Sequence, residues 1–290
     1  MSGRDPSGDP RADNLDADTA DGFDRIWQLY ASDDPDGEAD GDEPSDEAFD
    51  TYFSIFPVEL LAGSEGFELG SGNGRIARSV ARRAAFLHCV EPSAAGLAAT
   101  ERAMGSRTNV AYHQASAGGI PLPDASQDFG YSIGVLHHIP DPAAGLRNCV
   151  DKLKPGAPFL LYVYYGLDNR PAWFRMIWRV SDVARRRISR MPFRRRYWAS
   201  TFMAAAAYWP LSRFGGLLQK LGIRTDNLPL AYYIGRDWAD LRADALDRFG
   251  TPLEHRFTKA QVEALMRGAG LSDIKFADGP PYWTALGYKR

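Results

Sequence analysis

The sequence predicts an α/β protein: an open, mostly parallel sheet flanked by helices, with a block of helices inserted between the fifth strand and the last helix. Three observations predict it. A short apolar strand at 66–69 runs directly into a glycine-rich turn and a helix, the opening of a βαβ unit. A second apolar strand at 85–90 ends in an acid, Glu91. Residues 166–256 carry helical rather than strand periodicity, and the chain then closes with one helix and two alternating segments. The 290 residues suffice for one large domain or two small ones. With 44% hydrophobic and 24% charged residues, a collagen-like, wholly disordered or disulfide-stapled chain is excluded.

Residues 1–47 read as an acidic, largely disordered segment. Seventeen acids stand against three arginines in the first 50 residues, and such a composition buries too little surface to order itself. One amphipathic piece interrupts it at 23–30, before a second acidic stretch at 32–47 that reads as a disordered loop. The start of the chain has no basic or apolar signal-peptide pattern. Cys89 and Cys149 both sit in apolar surroundings, as expected of a reducing compartment, so a cytoplasmic location is expected. The longest apolar run in the second half, 202–209, is far short of the roughly 20 residues that span a bilayer.

The folded core is expected over 48–165. Phe49, Tyr52, Phe53, Phe56 and Leu60 recur at helical steps. Then follows Glu68-Leu69-Gly70-Ser71-Gly72-Asn73-Gly74. Glycines at 70, 72 and 74 permit positive φ and close approach of a ligand to the backbone. The helix that follows offers free N–H groups at its start. Glu91, 21 positions after Gly70, can accept both hydroxyl protons of a ribose. The turn lacks the spacing of the dinucleotide fingerprint. Glu68 would repel a phosphate but attract an ammonium group, so a ligand with adenosine at one end and an amino acid at the other fits better than a dinucleotide.

These residues resemble motif I of the class I S-adenosylmethionine (SAM) dependent methyltransferases. Leu122-Pro123-Asp124-Ala125-Ser126-Gln127-Asp128-Phe129, then Gly134-Val135-Leu136-His137-His138, and Leu153-Lys154-Pro155-Gly156 are similar to later motifs of the methyltransferase type 11 group. The resemblance implies a Rossmann-like, seven-stranded methyltransferase sheet with SAM as cofactor. It also implies a cofactor site: Glu68, Gly70, Ser71, Gly72, Asn73 and Gly74 for the methionine part, Glu91 for the ribose, Pro92 and Ser93 beside the adenine. Ala115 and Ser116 follow the third strand, where the family commonly has an acid, so Ser116 would accept a weaker hydrogen bond. Gly134 and Val135 would line the methyl-donor pocket.

His137 and His138 are candidate general bases; the alternative is a structural role in the turn before Pro140. On an extended segment their side chains would face opposite sides, and no metal-ligand cluster is seen. Tyr165, Asp168 and Asn169 are candidate substrate contacts at the sheet's carboxyl edge, with helix capping as the alternative for the last two.

Residues 166–256 are expected to form a helical insertion serving as a substrate lid, and 257–290 the closing helix, with Thr258 as its N-cap, and a hairpin. Residues 171–224 hold twelve basic residues against one acid, Asp182, with four of the seven tryptophans. A lid over a small apolar or aromatic methyl acceptor, a membrane-contacting surface and an RNA-binding face are the competing readings of this block. A non-catalytic SAM- or nucleoside-binding protein and an RNA methyltransferase are the alternatives to small-molecule methyl transfer. The acidic N-terminal segment disfavours nucleic acid.

Overall fold

The computed structural model describes residues 13–33, 46–225, 228, 230 and 233–290. They divide into two compact units, one formed by the residues up to Gly166 together with Leu253–Arg290, the other by Leu167–Pro252.

The first unit holds a seven-stranded sheet in the order β3-β2-β1-β4-β5-β7-β6. The strands are β1 Glu65–Leu69, β2 Phe86–Val90, β3 Val110–His113, β4 Phe129–Ile133, β5 Pro158–Tyr162, β6 Leu271–Phe276 and β7 Ala285–Lys289. Pairing is parallel except at β7, which runs antiparallel to both β5 and β6. β1 lies between β2 and β4, so the chain reverses its winding direction at the carboxyl end of β1. Ligands of open parallel sheets bind at such a switch point. The strands are short apolar runs because both faces are covered. Phe67, Leu69, Phe159 and Leu161 enter one buried cluster, while Leu87, Cys89, Phe129, Tyr131 and Leu160 enter the other.

The flanking helices are α1 Ala17–Asp33, α2 Glu47–Tyr52, α3 Arg75–Ala81, α4 Ala94–Met104, α5 Pro142–Lys152 and, after the insertion, α10 Lys259–Gly268. Their starts follow local chemistry. Ser93 caps α4 by accepting from Gly96 N at 3.0 Å. Asp141 caps α5, with Pro142 at the first helical position. Thr258 and Gln261 cap α10 reciprocally.

Residues 13–33 depart from the expectation of a largely disordered 1–47. Helix α1 is 17 residues long, with Ile26 buried. Its apolar positions face partners distant in the chain, which composition alone does not register. The remainder of the expected acidic loop, 34–45, lies outside the described residues, as do 1–12.

The second unit contains α6 Ala172–Ile188, α7 Phe193–Met203, a π-helical turn Ala204–Tyr208, α8 Trp209–Lys220 and α9 Trp238–Gly250. Ile188, Ala204, Tyr208, Leu241, Ala245 and Phe249 form its own small core. This unit, Leu167–Pro252, lies within the expected insertion 166–256. After it, Phe257 N donates to Tyr164 O (2.9 Å) and Gly166 N to Phe257 O (2.6 Å), tying the chain back to the sheet edge.

Candidate functional site

β1 ends at Leu69, and Gly70 N donates to Val90 O at 2.7 Å, tying the turn to the end of β2. Gly70 has φ +83°, and a Cβ there would lie 2.1 Å from the Val135 side chain, so glycine is required on both counts. Thr100 on α4 holds the turn from below: its Oγ1 lies 3.0 Å from Gly72 O and 3.0 Å from Ser71 Oγ. Gly74 stands at the N-cap of α3 in the left-handed region.

Two buried carboxylates flank this turn. Glu91 Oε2 accepts from Gly72 N and Oε1 from Ser93 N, both at 3.0 Å. Burial nonetheless pushes its pKa up to about 7. Glu68 is buried and its Oε2 has no hydrogen-bond partner. Burial, opposed by the neighbouring Tyr131 hydroxyl and aided by a smaller contribution from the charge of Glu91, pushes its pKa up to about 8. A buried, unsatisfied carboxylate beside a glycine turn is costly to the protein alone and is what a cationic ligand group would satisfy. The surroundings of Glu68 therefore fit SAM, whose methionine part carries an ammonium group.

The N-terminal segment meets the same site, which the sequence did not reveal. Asp24 Oδ1 accepts from Ser93 Oγ (2.6 Å) and from Ala95 N (3.0 Å). The Trp27 indole stands so close to Gly72 and Gly96 that a Cβ at either glycine would lie 2.8 and 3.0 Å from it. Asn14 and Asp141 exchange two hydrogen bonds of 2.7 and 2.8 Å. The Ser116 hydroxyl donates to Asp13 O and accepts from Gly118 N at 3.3 Å, so it anchors this segment. The legible signal was the helical spacing of Phe23, Ile26 and Trp27.

Gly134 follows β4, with its N–H donating to Tyr162 O at 3.0 Å. The two histidines after it lie in a 3-10 turn, Leu136–His138, and not on an extended segment. A tight turn brings neighbouring side chains together, and the rings sit 4.0 Å apart. His137 is fully buried and stacked on Tyr164 at 3.8 Å. Burial first, then the neighbouring His138, Arg256 and His255, hold its pKa well below the usual imidazole range. His138 Nδ1 lies 2.8 Å from Leu253 O. A carbonyl can only accept, so a neutral His138 carries its proton on Nδ1 and its basic lone pair on Nε2. Phe23 of α1 meets its ring at 5.2 Å.

Of the expected substrate contacts, Tyr165 stays with the sheet unit. Its carbonyl accepts from Arg256 Nη1 at 3.4 Å and its ring meets Tyr282 at 5.5 Å. Asp168 and Asn169 belong to the second unit. Pro171, rather than either of these two, occupies the N-cap position of α6. Glu254, His255 and Arg256 were not anticipated. They reach the sheet edge because His255 N donates to His137 O at 2.8 Å. Glu254 Oε1 pairs with Arg256 at 2.7 Å, and the Arg256 guanidinium lies over the Tyr164 ring. Among the described residues, no group of three or more His, Cys, Asp or Glu could hold a metal ion.

Comparison with known proteins agrees with this fold. Residues 67–161 match the family model described as a methyltransferase domain. The ubiquinone biosynthesis O-methyltransferase of Pseudomonas fluorescens (strain Pf0-1) is 30% identical over 112 residues, 38% of this chain and 47% of that protein. The enzyme of the same name from Alkalilimnicola ehrlichii is 30% identical over 120 residues, 40% of this chain and 47% of that protein. The chain thus spans about half the length of the curated relatives it matches. A crystal structure of a possible exported protein from Bordetella parapertussis shares the fold, with a TM-score of 0.50 at 14% identity, covering 84% of this chain and 67% of that one. The sheet unit thus has the Rossmann-like, seven-stranded methyltransferase fold, and residues 67–161 within it match the methyltransferase-domain model.

Proposed function

We propose that this protein transfers the methyl group of SAM to a hydroxyl or amine of a small, apolar or aromatic acceptor. The observation that carries the reading is the buried carboxylate of Glu68, with one oxygen unsatisfied, beside a glycine turn joined to Glu91. Bound SAM supplies an electrophilic methyl group on a sulfonium, chemistry that needs no metal. The protein's part is to hold the acceptor in line and take its proton. Of the two histidines, His138 suits that role, since its bond to Leu253 O leaves the basic lone pair on Nε2. His137 is walled in by Tyr164 and is a positioning residue for the turn. The name of the curated relatives, ubiquinone biosynthesis O-methyltransferase, favours oxygen as the methylated atom. Tyr165, Asp168 and Asn169 remain acceptor-contact candidates, and we assign acceptor selection to the helical insertion.

Calorimetric titration with SAM and with S-adenosylhomocysteine tests this. Saturable one-to-one binding is expected, weakened about a hundredfold in Glu91→Ala, which removes two charge-assisted acceptors. No binding at millimolar ligand would sink the reading.

A further inference from the structure

Helix α6 is amphipathic with its polarity reversed relative to its own unit. It buries an ion pair: Asp182 Oδ1 and Arg185 Nε lie 2.7 Å apart, with side chains 8% and 6% exposed. Arg185 Nη1 also donates to Thr251 O at 3.0 Å. The apolar residues stand outside. Trp173, Met176, Ile177, Val180 and Val183 recur at three- and four-residue steps and are 49–69% exposed. At 3.6 residues per turn they occupy roughly a third of the helix circumference, a continuous stripe. Arg175, Arg179 and Arg186 line one flank of the stripe and are exposed.

Helix α8 repeats the arrangement. Phe214, Leu217 and Leu221 are exposed along it and at its end, beside exposed Arg213 and Lys220. Of the large hydrophobic residues that are exposed among the described ones, all but Val58 and Leu60 lie in the second unit. The only acid between 171 and 224 is Asp182, already buried against Arg185 and Arg186. Along α6 and α8 the exposed apolar residues therefore have only positive charges beside them, while Trp238 on α9 is preceded by exposed Asp237.

That combination selects the occupant. A second copy of the same face would bring like charges together around its apolar centre, which is unfavourable. An anionic lipid surface offers acyl chains to the apolar stripe and negative headgroups to the arginines, whose stems lie along the boundary with their charges in the headgroup layer. No helix among the described residues is long and apolar enough to cross a membrane, so the contact is with one face of the bilayer. We propose that the inserted helical unit docks on anionic membrane through the exposed stripe of α6, with α8 as a second contact.

The test uses the full chain and vesicles of phosphatidylcholine alone, or of phosphatidylcholine and phosphatidylglycerol in equal parts, in a sedimentation assay without SAM. Its result is thus independent of the methyl-transfer reading. Sedimentation with the anionic vesicles only is expected, decreasing as salt rises. Arg175→Gln with Arg179→Gln should lower partitioning about twenty-fivefold, since each arginine near such a surface contributes about fivefold. Val180→Asp, at an exposed position where the fold is not at stake, should lower it further by placing a charge among the acyl chains. The proposal is overturned if the protein stays in solution with anionic vesicles at low salt. It is overturned equally if binding ignores both variants, or if the protein is a dimer that Val180→Asp dissociates while lipid binding is absent.

Discussion

The two units place polar and apolar groups in opposite ways. In the sheet unit the apolar side chains are inside, and the buried carboxylate Glu68 carries an oxygen with no partner. In the helical unit a buried carboxylate, Asp182, is matched by Arg185 and Arg186, and the large apolar side chains of α6 are outside. An unsatisfied group inside a well-packed core is a vacancy for a small ligand with the complementary charge. Apolar surface outside a small core is a vacancy for something large. The difference teaches that the two ends of this molecule's chemistry, cofactor and environment, are read from opposite kinds of unmet interaction.

Three perturbations sharpen that contrast. The largest effect belongs to His138→Ala. Removing a positioned base should lower turnover by about 10²–10⁴-fold while leaving SAM affinity, measured by calorimetry, unchanged. Full turnover would show that the chemistry does not use this residue.

Asp182→Ala comes next. It leaves Arg185 buried without its carboxylate, which costs about 3–5 kcal/mol in systems of this kind. Denaturant unfolding followed by near-ultraviolet circular dichroism should show an early transition of the helical unit, with SAM binding retained below it. Coincident loss of both would mean that the two units unfold as one.

The smallest effect is a pH slope. Glu68, with its pKa raised from 4.5 to about 8, binds more protons folded than unfolded between those values. The stability of the SAM-free protein should therefore fall as pH rises from about 4.5 to about 8 and level off above. Glu91, raised to about 7, adds to the lower part of that slope. Glu68→Gln should flatten the upper part in a series of melting curves. SAM affinity in the wild type should rise over the same range, because only the ionised carboxylate pairs with an ammonium group. A slope unchanged in Glu68→Gln would remove this carboxylate as its source.

Much of the sheet unit was legible in the chain. The turn at 70–74 announces itself because a sharp βα junction imposes positive φ on Gly70, Gly72 and Gly74, and only glycine meets that demand cheaply. The capping of α10 by Thr258 was equally legible, being settled within four residues. The order of α1 was not. Asn14, just ahead of it, is fixed by Asp141, 127 positions away, and its Asp24 by Ser93, 69 positions away. An acidic composition reads as solvated until those partners are known. The roles of the histidines were open for the same reason. Only the fold shows that the pair shares a 3-10 turn, that Tyr164 covers one ring and that Leu253 sets the proton of the other.

The insertion shows the division most clearly. Its helices, its positive charge and its tryptophans are all written in the sequence, since periodicity and composition are local sums. Periodicity cannot say which side of a helix is the inside. On α6 the reversed choice was made by Asp182 and Arg185, whose buried pair with its link to Thr251 turns the polar side inward and leaves the apolar stripe facing out. The sequence by itself determined the glycine turn and the helical character of the insertion, because both depend on residues a few positions apart. The tertiary structure alone decided what covers the turn, which histidine nitrogen holds the proton and which face the insertion presents, because each depends on groups that only folding brings within reach.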